Sequence, residues 1–137
     1  MISSPVPALK ACVIAAVLAC GHLNAHAQGE LSKELDACMD KVDLGAMKNT
    51  QWAACYAEEL KRQDRKLNDA YRLVQRSAPA EAKEGLVKAQ RSWVAFRDNW
   101  CAYESVSGLA PGGDASRYAC LVDLTSTQAK RLREQVL

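Results

Sequence analysis

From Ser32 onward the apolar positions of this chain recur at intervals of three and four, the period of helices packed on one side. A short first segment, residues 32–42, opens at Ser32, carries Leu35, Cys38, Met39 and Val42, and stops near Asp43-Leu44-Gly45. Asn49-Thr50 offers a cap for the next element. Thr50 to about Arg76 contains neither Gly nor Pro and is rich in Ala, Glu, Lys and Arg, which favours an unbroken helix. Its seam runs Ala53, Ala57, Leu60, Asp64, Leu67, Tyr71, Val74, and Asp64 is the charged exception. Ser77-Ala78-Pro79-Ala80 reads as a tight connector, because proline is tolerated only in a first helical turn.

The third run, Ala80 to about Ser105, carries the strongest pattern: Leu86, Ala89, Trp93, Phe96, Trp100 and Tyr103, widened by Val87, Val94 and Cys101. Large aromatics on one face bury much area, so they are expected in the core. The two long runs match in length, each about 40 Å at 1.5 Å per residue. Their short connector predicts an antiparallel hairpin. Folding about residues 77–79 sets Asp64 level with residue 92, and brings Leu60 near Phe96 and Tyr71 near Leu86. Arg91 is then the expected partner of Asp64, with Gln90 beside it. An unpaired carboxylate in an apolar seam is costly, so an Asp64–Arg91 ion pair is expected to fix the register. The Gly-, Ser- and Pro-rich stretch from Ser105 to Gly113 is a loop. A last helix, capped by Asp114 or Ser116 and running through Val136, shows a weaker apolar face of Leu121, Leu124, Leu132 and Val136. No β-alternation interrupts the pattern. The predicted fold is all-α: a short N-terminal helix, a long antiparallel hairpin and a C-terminal helix.

Length and charge narrow this picture. At 137 residues there is room for one domain. Residues 1–27 read as an export signal: Lys10 is the positive charge, Ala11 to Cys20 is an apolar run too short to span a bilayer, and Ala25-His26-Ala27 is a small-x-small cleavage site before Gln28. Val17-Leu18-Ala19-Cys20 also resembles a lipobox, a second reading in which Cys20 carries a lipid anchor. Residues 28–137 are the expected folded domain, with no further run of membrane length. Of the 18 basic residues only Lys10 precedes residue 28, so 17 face 16 acidic ones and the domain carries a charge of +1. That balance excludes a nucleic-acid partner, which calls for clustered basic excess.

Export also decides how the cysteines read. Cys38, Cys55, Cys101 and Cys120 remain, and in an oxidising compartment four cysteines form two disulfides. Intervals of 16, 45 and 18 residues lack any Cys-x-x-Cys knuckle for zinc. Pairing neighbours along the chain gives Cys38–Cys55 and Cys101–Cys120. Other pairings tie the first helix to the far end of the hairpin or beyond.

Candidate chemistry is sparse. His22 and His26 lie in the export signal, and the cysteines are committed, which removes the commonest general base and the thiol nucleophile. No phosphate loop, dinucleotide turn or nucleophile elbow is present, and no cofactor or metal site is expected. Glu58, Glu59 and Asp64 remain as carboxylates on one helix, more in keeping with salt bridges than with an acid–base pair. The chain therefore reads as a non-enzyme.

A chain-long set of residues then carries a resemblance. It comprises Cys38; Thr50-Gln51-x-x-x-Cys55; Asp64-x-x-Leu67-Asn68-x-x-Tyr71; Ala89-Gln90-Arg91-x-Trp93-x-x-x-Arg97-Asp98-x-x-Cys101; Gly112-Gly113; and Cys120. This pattern resembles the LprI-type family, the domain named for a lysozyme inhibitor's N-terminal region. The resemblance implies a secreted helical domain and lysozyme inhibition as the named activity. An inhibitor needs no catalytic residue, only a rigid scaffold presenting a loop to an acidic cleft. If the chain blocks such an enzyme, the loop Ser105–Arg117 is the expected contact, through backbone donors at Gly112 and Gly113, hydroxyls at Ser107 and Ser116, and the Arg117 guanidinium, which can grip a carboxylate in two places. The other reading is that Gly112-Gly113 only turns the chain into the last helix, with Arg117 solvated. The alternative is a general envelope interaction or stability module without an enzyme target.

Overall fold

The computed structural model describes residues 30–43, 49–108 and 111–136. The expected export signal with Cys20, and the helix stop at Leu44-Gly45, lie outside the described residues. Among the described residues four helices carry the fold: α1 Lys33–Met39, α2 Asn49–Ser77, α3 Ala80–Val106 and α4 Gly113–Glu134. Among the described residues there is no strand, and no helix is long and apolar enough to cross a membrane.

Local chemistry sets the helix ends. Ser32 caps α1, its hydroxyl accepting from the Leu35 N–H at 3.2 Å. Pro79 opens α3 with φ −61°, the angle its ring imposes. The start of α4 departs from expectation, because neither Asp114 nor Ser116 is its N-cap residue. Gly112 holds that position at φ 74°, with Gly113 at 56°, a left-handed pair that costs a side chain strain. The capping oxygen comes from elsewhere in the chain. Asn49, at the start of α2, accepts from the Ala115 N–H at 3.1 Å and donates to the carbonyls of Pro111 and Gly112 at 2.9 and 2.8 Å. The Ser116 hydroxyl accepts in turn from the Gly112 N–H at 2.8 Å.

α2 and α3 run antiparallel, yet they scarcely touch through their backbones. The principal partner of α2 is α4, which lies parallel to it; α3 packs on α4 from the side. Small buried residues make the α2–α4 approach possible: Ala53 and Ala70 on one helix, Ala115, Ser126 and Ala129 on the other. Leu67, Ala70 and Val74 close on Ala129 and Leu132, with Tyr71, Leu86 and Trp93 packed around them. A second cluster at the other end joins Cys101, Cys120 and Leu121 with Leu60, Tyr118 and Leu124. Leu60 therefore packs at the disulfide end, where the hairpin register had set it level with Phe96. The disulfides pair Cys38 with Cys55 and Cys101 with Cys120, each between neighbours along the chain.

The buried face of α2 is rotated from the apolar seam, and two polar side chains explain the rotation. Glu59 and Gln63 are fully enclosed. Glu59 accepts from the Ser32 N–H at 3.0 Å, from the Ser32 hydroxyl, from Arg62 Nε at 2.8 Å and from Gln63 Nε2 at 2.6 Å. Gln63 also donates to the Glu30 carbonyl at 3.0 Å. This network docks the segment before α1 onto α2 without an unpaired group.

Burial pushes the Glu59 carboxyl up, but hydrogen bonds from Ser32, Gln63 and Arg62 outweigh it and hold it below the ordinary value of 4.5. A folded value below the unfolded one adds stability that is complete above about pH 4.5 and is lost as pH falls through the folded value. In urea denaturation at pH 7, Glu59→Ala is expected to cost about 3 kcal/mol, since it strands buried donors and half of an ion pair. Glu59→Gln is expected to flatten the acid limb of the stability curve. An alanine variant as stable as the parent, or an unchanged acid limb, would contradict this role.

Candidate functional site

With α4 seated against α2, α3 is left on the outside, and this creates two surface features. Among the residues of α3, Cys101 alone is buried. Of the aromatics expected in the core, Trp93 does pack on it, but the other three line an external ridge instead: Phe96 is 52% exposed, Trp100 45% and Tyr103 59%. Phe96 and Trp100 stack at 6.2 Å between ring centroids, and Tyr103 tilts against Trp100 at 5.6 Å. Trp100 fixes its indole by donating to Glu104 at 2.8 Å. Val106 extends the ridge to the end of the helix. Three adjacent exposed aromatics form an apolar patch of the kind that marks an interaction surface.

The second feature is a cleft of about 600 Å³ between α2 and α3. Asp64, Asn68, Tyr71 and Gln75 line it from α2; Gln90, Arg91 and Arg97 line it from α3. The ion pair within it differs from the expected one. Asp64 meets Arg97 at 3.3 Å, while Arg91 is exposed. The reason lies in how helical side chains lean. Cα–Cβ bonds tilt toward the helix N-terminus, so Arg97 covers the turn before its own Cα and reaches the level of Asp64. Arg91 leans the other way from Asp64, toward the connector. Arg97 also donates to the buried Thr125 hydroxyl of α4 at 3.1 Å, pairs with Asp98 at 2.9 Å and lies 5.3 Å from the centroid of the Trp93 ring. One guanidinium thus ties α2, α3 and α4 together.

The loop residues divide by role. Ser107 ends α3, its hydroxyl donating to the Glu104 carbonyl at 3.0 Å. Gly112, Gly113 and Ser116 are gathered at the cap of α4, where they turn the chain. Arg117 stands exposed in the first part of α4. Leu109 and Ala110, inside the same loop, lie outside the described residues. Of the carboxylates, Glu59 is enclosed in its own network, Asp64 serves Arg97, and the exposed Glu58 pairs with Lys61 at 2.6 Å, which lowers its pKa. Among the described residues no cluster of His, Cys, Asp and Glu is suited to a metal ion.

A family model described as lysozyme inhibitor LprI matches residues 38–132. The chain belongs to the LprI family. No curated protein and no solved structure matches it. The LprI match spans both disulfides, the cleft and the ridge. It also covers Asn49 and Glu59, whose tertiary roles the helical pattern did not reveal. Asn49 is legible from sequence as a cap for its own helix, but its actual client is 66 residues away. For Glu59 the signal was a carboxylate one step off the seam, which looks like any solvated acid.

A double-mutant cycle separates the two arginines. Asp64→Ala and Arg97→Ala are expected to couple by about 1 kcal/mol, a modest figure because Asp64 is 43% exposed and screened by water. Asp64→Ala and Arg91→Ala are expected to be additive. Coupling of Asp64 to Arg91 in place of Arg97 would restore the pairing that hairpin geometry alone predicts.

Proposed function

We propose that this LprI-family chain is an exported binding protein that blocks a lysozyme-like wall hydrolase, with the outer ridge of α3 as its main contact. The observation that carries this reading is the exposed set Phe96, Trp100 and Tyr103, in which Phe96 stacks on Trp100 and Tyr103 tilts against it, on a protein whose family is named for lysozyme inhibition. Trp and Tyr dominate the energetics of protein interfaces, and here they are held rigid by stacking and by the Trp100–Glu104 hydrogen bond, which reduces the ordering cost of binding. A ridge along a single outer helix is convex, the shape that enters an enzyme cleft.

The loop after α3 takes a secondary part. Gly112, Gly113 and Ser116 keep α4 in place, leaving Arg117 to approach the carboxylate pair that a muramidase cleft offers. The two disulfides and export to an oxidising envelope fit together, since each bond closes a loop worth on the order of 3 kcal/mol in the chain-entropy model.

The test is inhibition of wall lysis by a lysozyme-type muramidase, using the purified, disulfide-bonded protein. Trp100→Ala with Tyr103→Ala is expected to weaken inhibition about a hundredfold, the loss of two interface anchors. Arg117→Glu is expected to weaken it less. Circular dichroism should show both variants folded, because all three side chains are exposed. No inhibition by the parent would remove the function, and full inhibition by the Trp100/Tyr103 variant would remove the ridge from it.

A further inference from the structure

The cleft between α2 and α3 has a chemistry that neither the ridge nor the fold accounts for. Asn68, Tyr71 and Gln75 fall at helical spacing along one wall, and Arg91 faces them from the other. Among the described residues nothing pairs with Arg91, Asn68 or Gln75. Arg97 is different: Asp64 and Asp98 already compensate its charge. Among the described residues that line the cleft, Arg91 is therefore the one cation with no ion-pair partner. Gln90 accepts from Gln128 at 3.2 Å, which orients its amide and leaves the N–H₂ group available to a ligand. Leu67, Val87 and Val94 supply apolar surface.

The sequence adds a second observation. Asp64, Asn68, Tyr71, Gln90, Arg91 and Arg97 all belong to the stretches that carry the family resemblance, and all line this cleft. Hairpin packing would have explained them as core and register residues. With α4 on α2, Asn68, Gln90 and Arg91 are instead left beside an open cleft, which Tyr71 also lines while packing on the core, and among the described lining residues only Asp64 and Arg97 bond to each other.

We infer that the α2–α3 cleft binds the C-terminal end of a short peptide, with Arg91 gripping the terminal carboxylate. One free guanidinium matches one carboxylate, and its planar fork accepts it in two places. Side-chain amides both donate and accept, so Asn68, Gln75 and Gln90 match a peptide group, which also does both. The apolar surface takes a small side chain. A volume near 600 Å³ lies within the range of small-molecule sites. The cleft is independent of the inhibitor reading: its α3 positions lie on the side of the helix opposite Phe96, Trp100 and Tyr103.

The experiment is an NMR titration of the ¹⁵N-labelled, disulfide-bonded protein with N-acetyl-alanyl-alanine, with its C-terminal amide, and with octanoate. The dipeptide acid is expected to shift the side-chain amide signals of Asn68, Gln75 and Gln90 while leaving the Trp100 indole signal in place. The peptide amide, and the acid with an Arg91→Gln variant, are expected to bind at least about tenfold more weakly, the loss of a charge-assisted contact. Asn68→Ala is expected to weaken the dipeptide and leave octanoate unaffected. Equal binding of acid and amide, or undiminished binding by Arg91→Gln, would overturn the inference. So would an absence of shifts at millimolar dipeptide, or a preference for octanoate, which would mark the cleft as a site for free carboxylic acids.

Discussion

The close parallel contact of α2 with α4 governs the arrangement of everything else. Two helices approach this tightly only where their facing residues are small, and Ala53, Ala70, Ala115, Ser126 and Ala129 supply such a surface. Interiors are packed densely enough that one extra methylene is felt, so these positions hold the two backbones at a fixed separation. Once α4 occupies that place, α3 cannot bury its aromatic stripe against α2. Beyond Trp93, which still packs on the core, the stripe turns outward as a ridge, and the space between α2 and α3 stays open as a cleft. Both candidate functional surfaces are thus consequences of one packing choice.

Three long-range polar devices hold that choice in place. Asn49 fastens the start of α2 to the start of α4, which fixes their relative height. Arg97 bridges from α3 to Asp64 on α2 and Thr125 on α4, so the outer helix keeps its angle although little of it is buried. Glu59 gathers the segment around Ser32 onto α2. The disulfides close two of these joints covalently, α1 to α2 and α3 to α4. A ridge that must resist deformation on binding gains from this, because a preorganised surface loses less entropy than a mobile one.

Much of the fold was legible in the sequence. Helix positions followed from periodicity, Pro79 and the glycines at 112 and 113, and the disulfides followed from pairing neighbouring cysteines. The layering was not legible, for a physical reason. Apolar patterning weighs side chains by hydrophobicity, so Trp93, Phe96 and Trp100 made α3 look central, while Thr125, Ser126 and Ala129 made α4 look marginal. Packing weighs them by size, and small residues mark the most intimate contact. Glu59 and Gln63 escaped for a related reason, since a buried polar pair reads as surface until its partners are known. Of the candidate site, Asp64 was singled out as the polar residue that needs a partner, but the partner is Arg97 and not the expected Arg91. Arg97 was missed because level along two helix axes is not the same as reach of a leaning side chain.

The claim that α4 displaces α3 from the core is tested most directly by hydroxyl-radical footprinting of the folded, disulfide-bonded protein, read residue by residue by mass spectrometry. Corrected for intrinsic reactivity, Trp100, Tyr103 and Phe96 are predicted to oxidise well ahead of Trp93 and Tyr71, which pack on the α2–α4 core. Protection of Trp100 and Tyr103 to the level of Trp93 would mean that α3 turns its aromatics inward against α2, and would contradict this account.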